Sequence, residues 1–452
     1  MTSAWLPAPP PWLKRAVMAV CVVVIALLWV NSRILIMRRN QPGARPVVLS
    51  GYYVYHGMAM ALREGRIGQL DMEALRRFLA LNDPLAVYQR LPAGGRHEWV
   101  NYYTLDVGYL FIVEAARLAF PAVPDNILRS LALQFVADIV TILFVYFLFS
   151  HWSTGSGLLA AFLYVTNGVF AALVAFAYYY YWDIPLTFIV LGSLLLASIH
   201  PNEARRWLII AAAVLGFGVW LRGTWWPLAA WFFLVSTFSG NLRNKVLLPF
   251  LVFAVLAAPQ IIRSSVARGH LTLSTRAAWH VAMVGLGYFP NKYGLEPRDE
   301  VVFKLTQEKY GITFRSEDYY LHDQAAKREF LSILRDDPKF VVTSFLGRLK
   351  DSVLGSTQTS MFSYLLVPNI VYRLFCLLGL AAMMAYGREM RVLGIAAGGM
   401  YAIYVVLTCV FYYVGLAYDN VSEVTMLVCV IGGVECVRRW ARGKTVAAVV
   451  PL

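Results

Sequence analysis

Carboxylates, arginines and aromatic side chains are concentrated in two polar stretches of an otherwise apolar chain. The first stretch, residues 38–126, carries Asp71, Asp83, Glu98 and Asp106. Tyr52-Tyr53-Val54-Tyr55-His56 stands near its start and Asn101-Tyr102-Tyr103-Thr104-Leu105-Asp106 near its end. A carboxylate held in place can take a proton from an attacking hydroxyl. Asp106 ranks first for that role because it lies where the loop returns to an apolar segment, with Glu98 and Asp71 next. An aspartate that opens a helix is also a good N-cap, so Asp106 has two readings.

The second set of groups is cationic. Arg222 sits in Arg222-Gly223-Thr224-Trp225-Trp226, a break between two short apolar runs. A guanidinium at bilayer depth costs about 2.5–3.5 kcal/mol, so this one requires an anionic partner or an aqueous cavity. Arg263, Arg268 and Arg276 follow a later apolar run, joined by His270 and His280. Such a set can frame a phosphate at headgroup level. Anchoring to lipid headgroups is the blander role for Arg263 and Arg268.

Tyr52, Tyr55, His56, Tyr103, Asp183, Trp225 and His280 complete the candidate substrate contacts. Asp183 can equally cap the apolar run that follows it, and His56 among tyrosines can be a packing residue. The aromatic clusters Tyr178–Trp182, Trp225-Trp226 and Tyr412-Tyr413 read first as interfacial belts and second as sugar-stacking or lipid-lining groups. No His, Asp and Glu cluster has metal-ligand spacing; no cofactor is expected to be required, and a divalent metal stays open but unsupported. Cys21, Cys376, Cys409, Cys429 and Cys436 all fall within apolar runs, where thiols act as small hydrophobes.

The elements that position these groups belong in a bilayer. The 452 residues are 59% hydrophobic and 15% charged, against roughly a quarter charged in ordinary globular chains. Repeated apolar runs of about 20 residues indicate a polytopic helical membrane protein. Ten spans are expected, at about 16–36, 128–150, 157–177, 183–199, 207–221, 227–237, 247–262, 364–386, 392–412 and 421–437. The fold class is therefore all-α, with both termini cytoplasmic and two long outer loops. The parts are 1–262 with the first loop, a second α-rich loop at 263–360, and the last spans at 361–452. The net charge of +14 is spread over loops and gives no soluble nucleic-acid face.

Loop charge sets the orientation. Lys14, Arg15, Arg205, Arg206, Arg243, Lys245, Arg388, Arg391, Arg438, Arg439, Arg442 and Lys444 share one side, and Arg222 is the basic residue of the short turns opposite. That asymmetry is the positive-inside pattern. It requires Asp106–Phe120 to lie on the membrane surface rather than cross it. The segment's short length and the Glu114/Arg117 spacing agree with that.

With this layout the chain resembles the GT-C membrane glycosyltransferases, which take sugars from polyprenyl-phosphate carriers; protein O-mannosyltransferases and the bacterial lipid A aminoarabinose transferase belong to that group. Tyr52–Arg66 and Asp106-Val107-Gly108-Tyr109 through Phe120-Pro121 resemble the family's two surface helices. Leu221-Arg222-Gly223 is similar to its basic residue between short helices, and Tyr181-Trp182-Asp183-Ile184-Pro185-Leu186 to its aromatic-aspartate span entry. Pro259-Gln260-Ile261-Ile262-Arg263, with Leu273-Ser274-Thr275, resembles its junction into the second loop. Two places depart: Leu49-Ser50-Gly51 stands where the family often has an acid, and Ala417-Tyr418-Asp419 where it often has an arginine-tyrosine pair.

The resemblance implies an inverting sugar transfer on the outer face of a bacterial inner membrane. The donor is a polyprenyl-phosphate sugar and the acceptor a lipid, glycan or protein, with no nucleic acid involved. A loop carboxylate would serve as base and arginines would hold the donor phosphate. A lipid or solute transporter or flippase is the alternative. It predicts inverted repeats, short outer loops and broken helices with charges at mid-membrane. A non-catalytic assembly subunit is the third class.

Overall fold

The structure, a computed structural model, describes residues 10–39, 51–63, 65–66, 69–71, 99–101, 106–123, 126–273, 278–312, 319–354, 369–411 and 420–443. Each expected apolar run is met by a helix. In order these are α1 (Pro11–Arg39), then α4 (Asn126–Ser150), α5 (Thr154–Thr166) with α6 (Gly168–Val174), α7 (Asp183–Ile199), α8 (Ala204–Leu221) and α9 (Trp225–Phe238). After these come α10 (Leu247–Arg268), α15 (Asn369–Ala385), α16 (Arg388–Phe411) and α17 (Asn420–Ala441). Among the described residues, seven helices are long and apolar enough to cross a membrane, and α5 with α6 makes an eighth. The expected ten are reached only by including the short apolar helices Trp225–Phe238 and Val371–Ala385.

Two buried polar clusters explain how these helices hold together. The third span is broken, with α5 and α6 meeting at 60° around Asn167. A break exposes backbone groups that must find partners away from water. Asn167 Oδ1 accepts from the Val169 and Phe170 amides, and its Nδ2 donates to Glu423 Oε2 at 3.1 Å. Arg33 of α1 donates to the Val165 carbonyl at 2.8 Å and to Asp138 Oδ2 of α4 at 3.1 Å. Trp29 Nε1 and the Tyr164 hydroxyl, both at 2.6 Å, complete the surroundings of that carboxylate. Since the apolar window of α1 is otherwise unburied in the bundle, this ion pair is its polar anchor.

Two further sets of charges gather at opposite ends of the helices. At one end Glu435 binds Arg438, Arg439 and Ser156, Arg439 reaches Glu389, and Lys245 donates to the Pro201 carbonyl. α7 begins and α8 finishes at the opposite end, which gathers Asp183 and Arg222.

Two surface helices cover that second end. They are α2 (Gly51–Arg63) and α3 (Gly108–Ala119), tied by Arg63 Nε to Glu114 Oε1 at 2.7 Å. Arg117 binds the same carboxylate one turn on, at 2.6 Å. Burial pushes the Glu114 carboxyl up, but the two guanidiniums outweigh it and hold it below its ordinary value. With 12 residues, α3 is about 18 Å long, well short of a ~30 Å hydrocarbon core. One feature of the loop departs from an all-helical reading: β1 (Gln69–Asp71) pairs antiparallel with β2 (Trp99–Asn101), Asp71 opposite Trp99. α11 (Ala278–Leu286), α12 (Asp299–Tyr310), α13 (Tyr319–Asp336) and α14 (Pro338–Leu354) form a layer with its own core of Met283, Leu286, Val302, Ala326 and Ile333. Gly311 ends α12 at φ +67°, a left-handed backbone that favours glycine.

Removing one partner of a buried ion pair costs about 3–5 kcal/mol, while exchanging both for apolar residues is often neutral. Arg33→Ala and Asp138→Leu should therefore each lower the thermal midpoint in detergent strongly. Arg33→Met with Asp138→Leu should recover most of the loss.

Candidate active site

The break between α8 and α9 is where groups from distant parts of the chain meet. α8 ends because Arg222 adopts extended backbone, φ −156° and ψ 139°, and α9 restarts at Trp225. Arg222 is fully buried, and its Nη1 donates to Asp183 Oδ2 at 2.6 Å and to the Tyr404 hydroxyl at 3.0 Å. Trp225 Nε1 donates to Asp183 Oδ1 at 2.8 Å. Asn420 Nδ2, at the start of α17, donates to Asp183 Oδ2 and to the Tyr180 carbonyl, both at 2.8 Å. The Tyr404 hydroxyl then donates to Asn420 Oδ1 at 2.6 Å. The guanidinium also faces the Tyr179 and Tyr180 rings, at 5.6 and 5.0 Å, in cation–π geometry.

Asp106 approaches the same break from the first loop. It does not cap α3, whose N-cap is Val107 with no side-chain cap bond. Instead Oδ2 accepts from the Gly223 amide at 3.1 Å and Oδ1 from Gln260 Nε2 of α10 at 3.0 Å. Gly108 makes the approach possible, because a Cβ there would lie 2.6 Å from the Trp220 backbone carbon. Gly218 does the same for Trp225, whose ring occupies the space of a Cβ. Asp183 is likewise not a cap: the N-cap of α7 is Trp182, and the carboxylate is the counter-ion of Arg222.

The aromatic run beside Asp183 differs from a membrane belt. Tyr178, Tyr179 and Tyr181 are buried. Tyr55 of α2 meets Tyr109 of α3 at 5.2 Å, Tyr178 at 6.0 Å and Tyr179 at 5.9 Å. The surface helices thus lie over this end and turn a potential belt into an aromatic wall behind Arg222. Trp225 is also buried, held by Asp183, so its role here is structural support of the ion pair.

The remaining candidates fall elsewhere. Arg263 stands three residues after Gln260 on α10 and is half-buried. Tyr52, His56 and Arg268 have helical backbone and Asp71 lies in β1; Glu98, Tyr103 and Arg276 lie outside the described residues. His280 is in the core of the α11–α14 layer, apart from the phosphate-framing role expected for it. Its Nε2 meets Asp299 Oδ1 at 3.0 Å and its Nδ1 meets His322 Nε2 at 2.8 Å, while His322 Nδ1 meets the Thr306 hydroxyl at 2.7 Å. No group of three His, Cys, Asp or Glu among the described residues could hold a metal.

Sequence reasoning missed Tyr404, Asn420 and the support role of Gln260. Asn420 is a polar residue at the mouth of an apolar run, a signal that was available. Tyr404 looks like any aromatic of a lipid-facing helix.

Two outcomes follow. Gly108→Ala forces the α3 entry away from Trp220, so any activity that depends on Asp106 should fall at least tenfold while α-helix content by circular dichroism stays unchanged. Burial, followed by the neighbouring His280, pulls His322 from its ordinary 6.5 down to about 3. The unfolded layer therefore binds a proton that the folded layer does not, and its stability falls as pH drops from 6.5 towards 3. Hydrogen exchange in α11–α13 should accelerate over that window, and His322→Gln should flatten the dependence.

No protein-family model and no curated protein matches the chain. Solved structures that it is similar to include the crystal structure of ArnT from Cupriavidus metallidurans bound to undecaprenyl phosphate. That match is 13% identical with a TM-score of 0.39, over 95% of this chain and 79% of that one. The same protein in the apo state matches at 14% identity and a TM-score of 0.38, over 95% and 79% of the two chains. A likeness at this level carries no functional assignment.

Proposed function

We propose that the chain is a membrane glycosyltransferase that moves a sugar from a polyprenyl-phosphate donor to a hydroxyl of a lipid, glycan or protein on the outer face of the membrane. The observation that carries the reading is the convergence of Asp106 and Asp183, from segments far apart in sequence, on the Arg222–Gly223 break. The motifs at Arg222, Asp183 and Asp106 that resemble GT-C enzymes are the same residues that meet there.

In this reading Asp106 is the general base. It accepts the acceptor hydroxyl's proton as the new C–O bond forms at the anomeric carbon. The bond from that carbon to the phosphate oxygen breaks, and polyprenyl phosphate leaves with the electron pair. Attack opposite the leaving group inverts the anomeric centre. Arg222 stabilises the phosphate as its charge grows. A guanidinium presents five N–H groups in a fork, so one edge can hold Asp183 while another serves an incoming anion. Asp183, Tyr404 and Asn420 fix that fork in place.

A transporter reading is favoured by a different observation, the broken span at Asn167 flanked by the buried Arg33, Asp138 and Glu423. Transfer of labelled sugar from polyprenyl phosphate to acceptor lipid by the purified protein separates the two. Asp106→Asn should slow transfer by about 10²–10⁴-fold, and Arg222→Ala by about 10²–10³-fold. Native-rate transfer by both variants would sink the assigned site. Lipid crossing between leaflets with its sugar retained would replace the enzyme reading by the transporter.

A further inference from the structure

Three buried polar atoms, on Gln260 or on residues next to the groups that bind Asp106, have no hydrogen-bond partner among the described residues: Gln260 Oε1, Ser264 Oγ and Thr224 Oγ1. Gln260 and Ser264 are fully buried. They are four residues apart on α10 and so lie on one face of it, one turn apart. Thr224 follows Gly223, whose amide binds Asp106. The orientation of the Gln260 amide is fixed by chemistry, since a carboxylate accepts and only Nε2 can donate to it. Its carbonyl oxygen is therefore left as an acceptor beside the Asp106 contact.

Buried polar groups are almost always satisfied, and leaving one unmade is costly. Gln260 itself binds Asp106, Ser264 lies one turn along α10 and Thr224 follows the glycine that binds Asp106, so together they mark a position that a ligand completes. The group must donate to a carbonyl oxygen and exchange hydrogen bonds with two hydroxyls. A phosphodiester fits poorly, because it has no hydrogen to give Gln260 Oε1. A sugar's neighbouring hydroxyls fit, each being donor and acceptor at once.

We infer that Gln260, Ser264 and Thr224 form a subsite for the hydroxyl groups of a sugar, set beside Asp106 and separate from the Arg222 contacts. This rests on the glycosyltransferase reading and adds to it the part of the site that reads the sugar. The hydroxyls belong either to the transferred sugar of the donor or to a glycan acceptor, and both present the same chemistry.

The test uses full-length protein in nanodiscs. Its binding probes are bare polyprenyl phosphate and polyprenyl phosphate carrying mannose, glucose or arabinose. Ser264→Ala removes one orphan hydroxyl and leaves the Asp106–Gln260 bond in place; Thr224→Val is its counterpart. Native protein should bind at least one sugar-bearing lipid more tightly than the bare one. Each variant should erase most of that preference, weakening the sugar-bearing lipid about 5- to 20-fold, with affinity for the bare lipid and the thermal midpoint unchanged or raised. A rise is expected because an unsatisfied hydroxyl has gone.

If the variants instead raise the KM for a glycan acceptor and leave donor affinity alone, the subsite holds the acceptor's hydroxyls. Equal weakening of bare and sugar-bearing lipid would overturn the inference in favour of a phosphate contact. Unchanged donor binding together with unchanged transfer kinetics would reduce the three atoms to packing defects. Either of those results leaves the glycosyltransferase reading standing, whereas a native protein that neither binds these lipids nor transfers sugar ends both.

Discussion

A guanidinium buried at the end of a membrane-depth helix must be neutralised, and much of this architecture follows from how Arg222 meets that demand. Its carboxylate partner, Asp183, opens the neighbouring helix. That carboxylate in turn is held by Trp225 from across the break and by Asn420 from the last helix, while Tyr404 joins Arg222 to Asn420. Five separate positions in the chain, from residue 183 to residue 420, thus have to be in register before one charge is satisfied. Breaking such a buried pair is strongly unfavourable, so the bundle end that contains it has little freedom to rearrange.

The same logic recurs at Arg33. There the cation satisfies both Asp138 and a carbonyl freed by the bend between α5 and α6. One pair anchors the first helix, and the other anchors the last two. Both place a guanidinium against a broken or terminating helix, whose last carbonyl groups carry partial negative charge. The basic end opposite is built differently. Arg438 and Arg439 are partly exposed and share Glu435, while Arg439 also pairs with Glu389, an arrangement suited to a water–lipid boundary.

The helices were largely legible because apolar runs of spanning length leave few alternatives. Arg222 and Asp183 were legible for a related reason: charges are expensive inside apolar sequence, so each one raises the question of its partner. What could not be read was which partner. Asp183 and Arg222 lie 39 positions apart, and nothing local tells a capping aspartate from a counter-ion. The tyrosine run shows the same limit. Tyr178 and its neighbours have the composition of an interfacial belt, and only the placement of α2 and α3 over them makes them interior. The β1–β2 ribbon was invisible because three-residue strands carry too little alternation to be seen.

The two carboxylates at the break differ in their partners. Both oxygens of Asp183 are engaged, Oδ2 by a cation and an amide and Oδ1 by an indole N–H. A carboxylate so placed is fixed in position. Asp106 is held by a backbone amide and by Gln260, a side chain that brings its own unsatisfied oxygen to the same spot. In the proposed transfer the proton acceptor has to sit beside the hydroxyl-binding atoms, and the leaving-group cation has to sit apart from them. Gly223 supplies that spacing, since its amide fixes Asp106 while the preceding residue, Arg222, turns towards Asp183. One residue of extended backbone between two helices thus keeps the Asp106 contacts apart from the Arg222–Asp183 pair, and on the proposed reading it separates the base from the leaving-group cation.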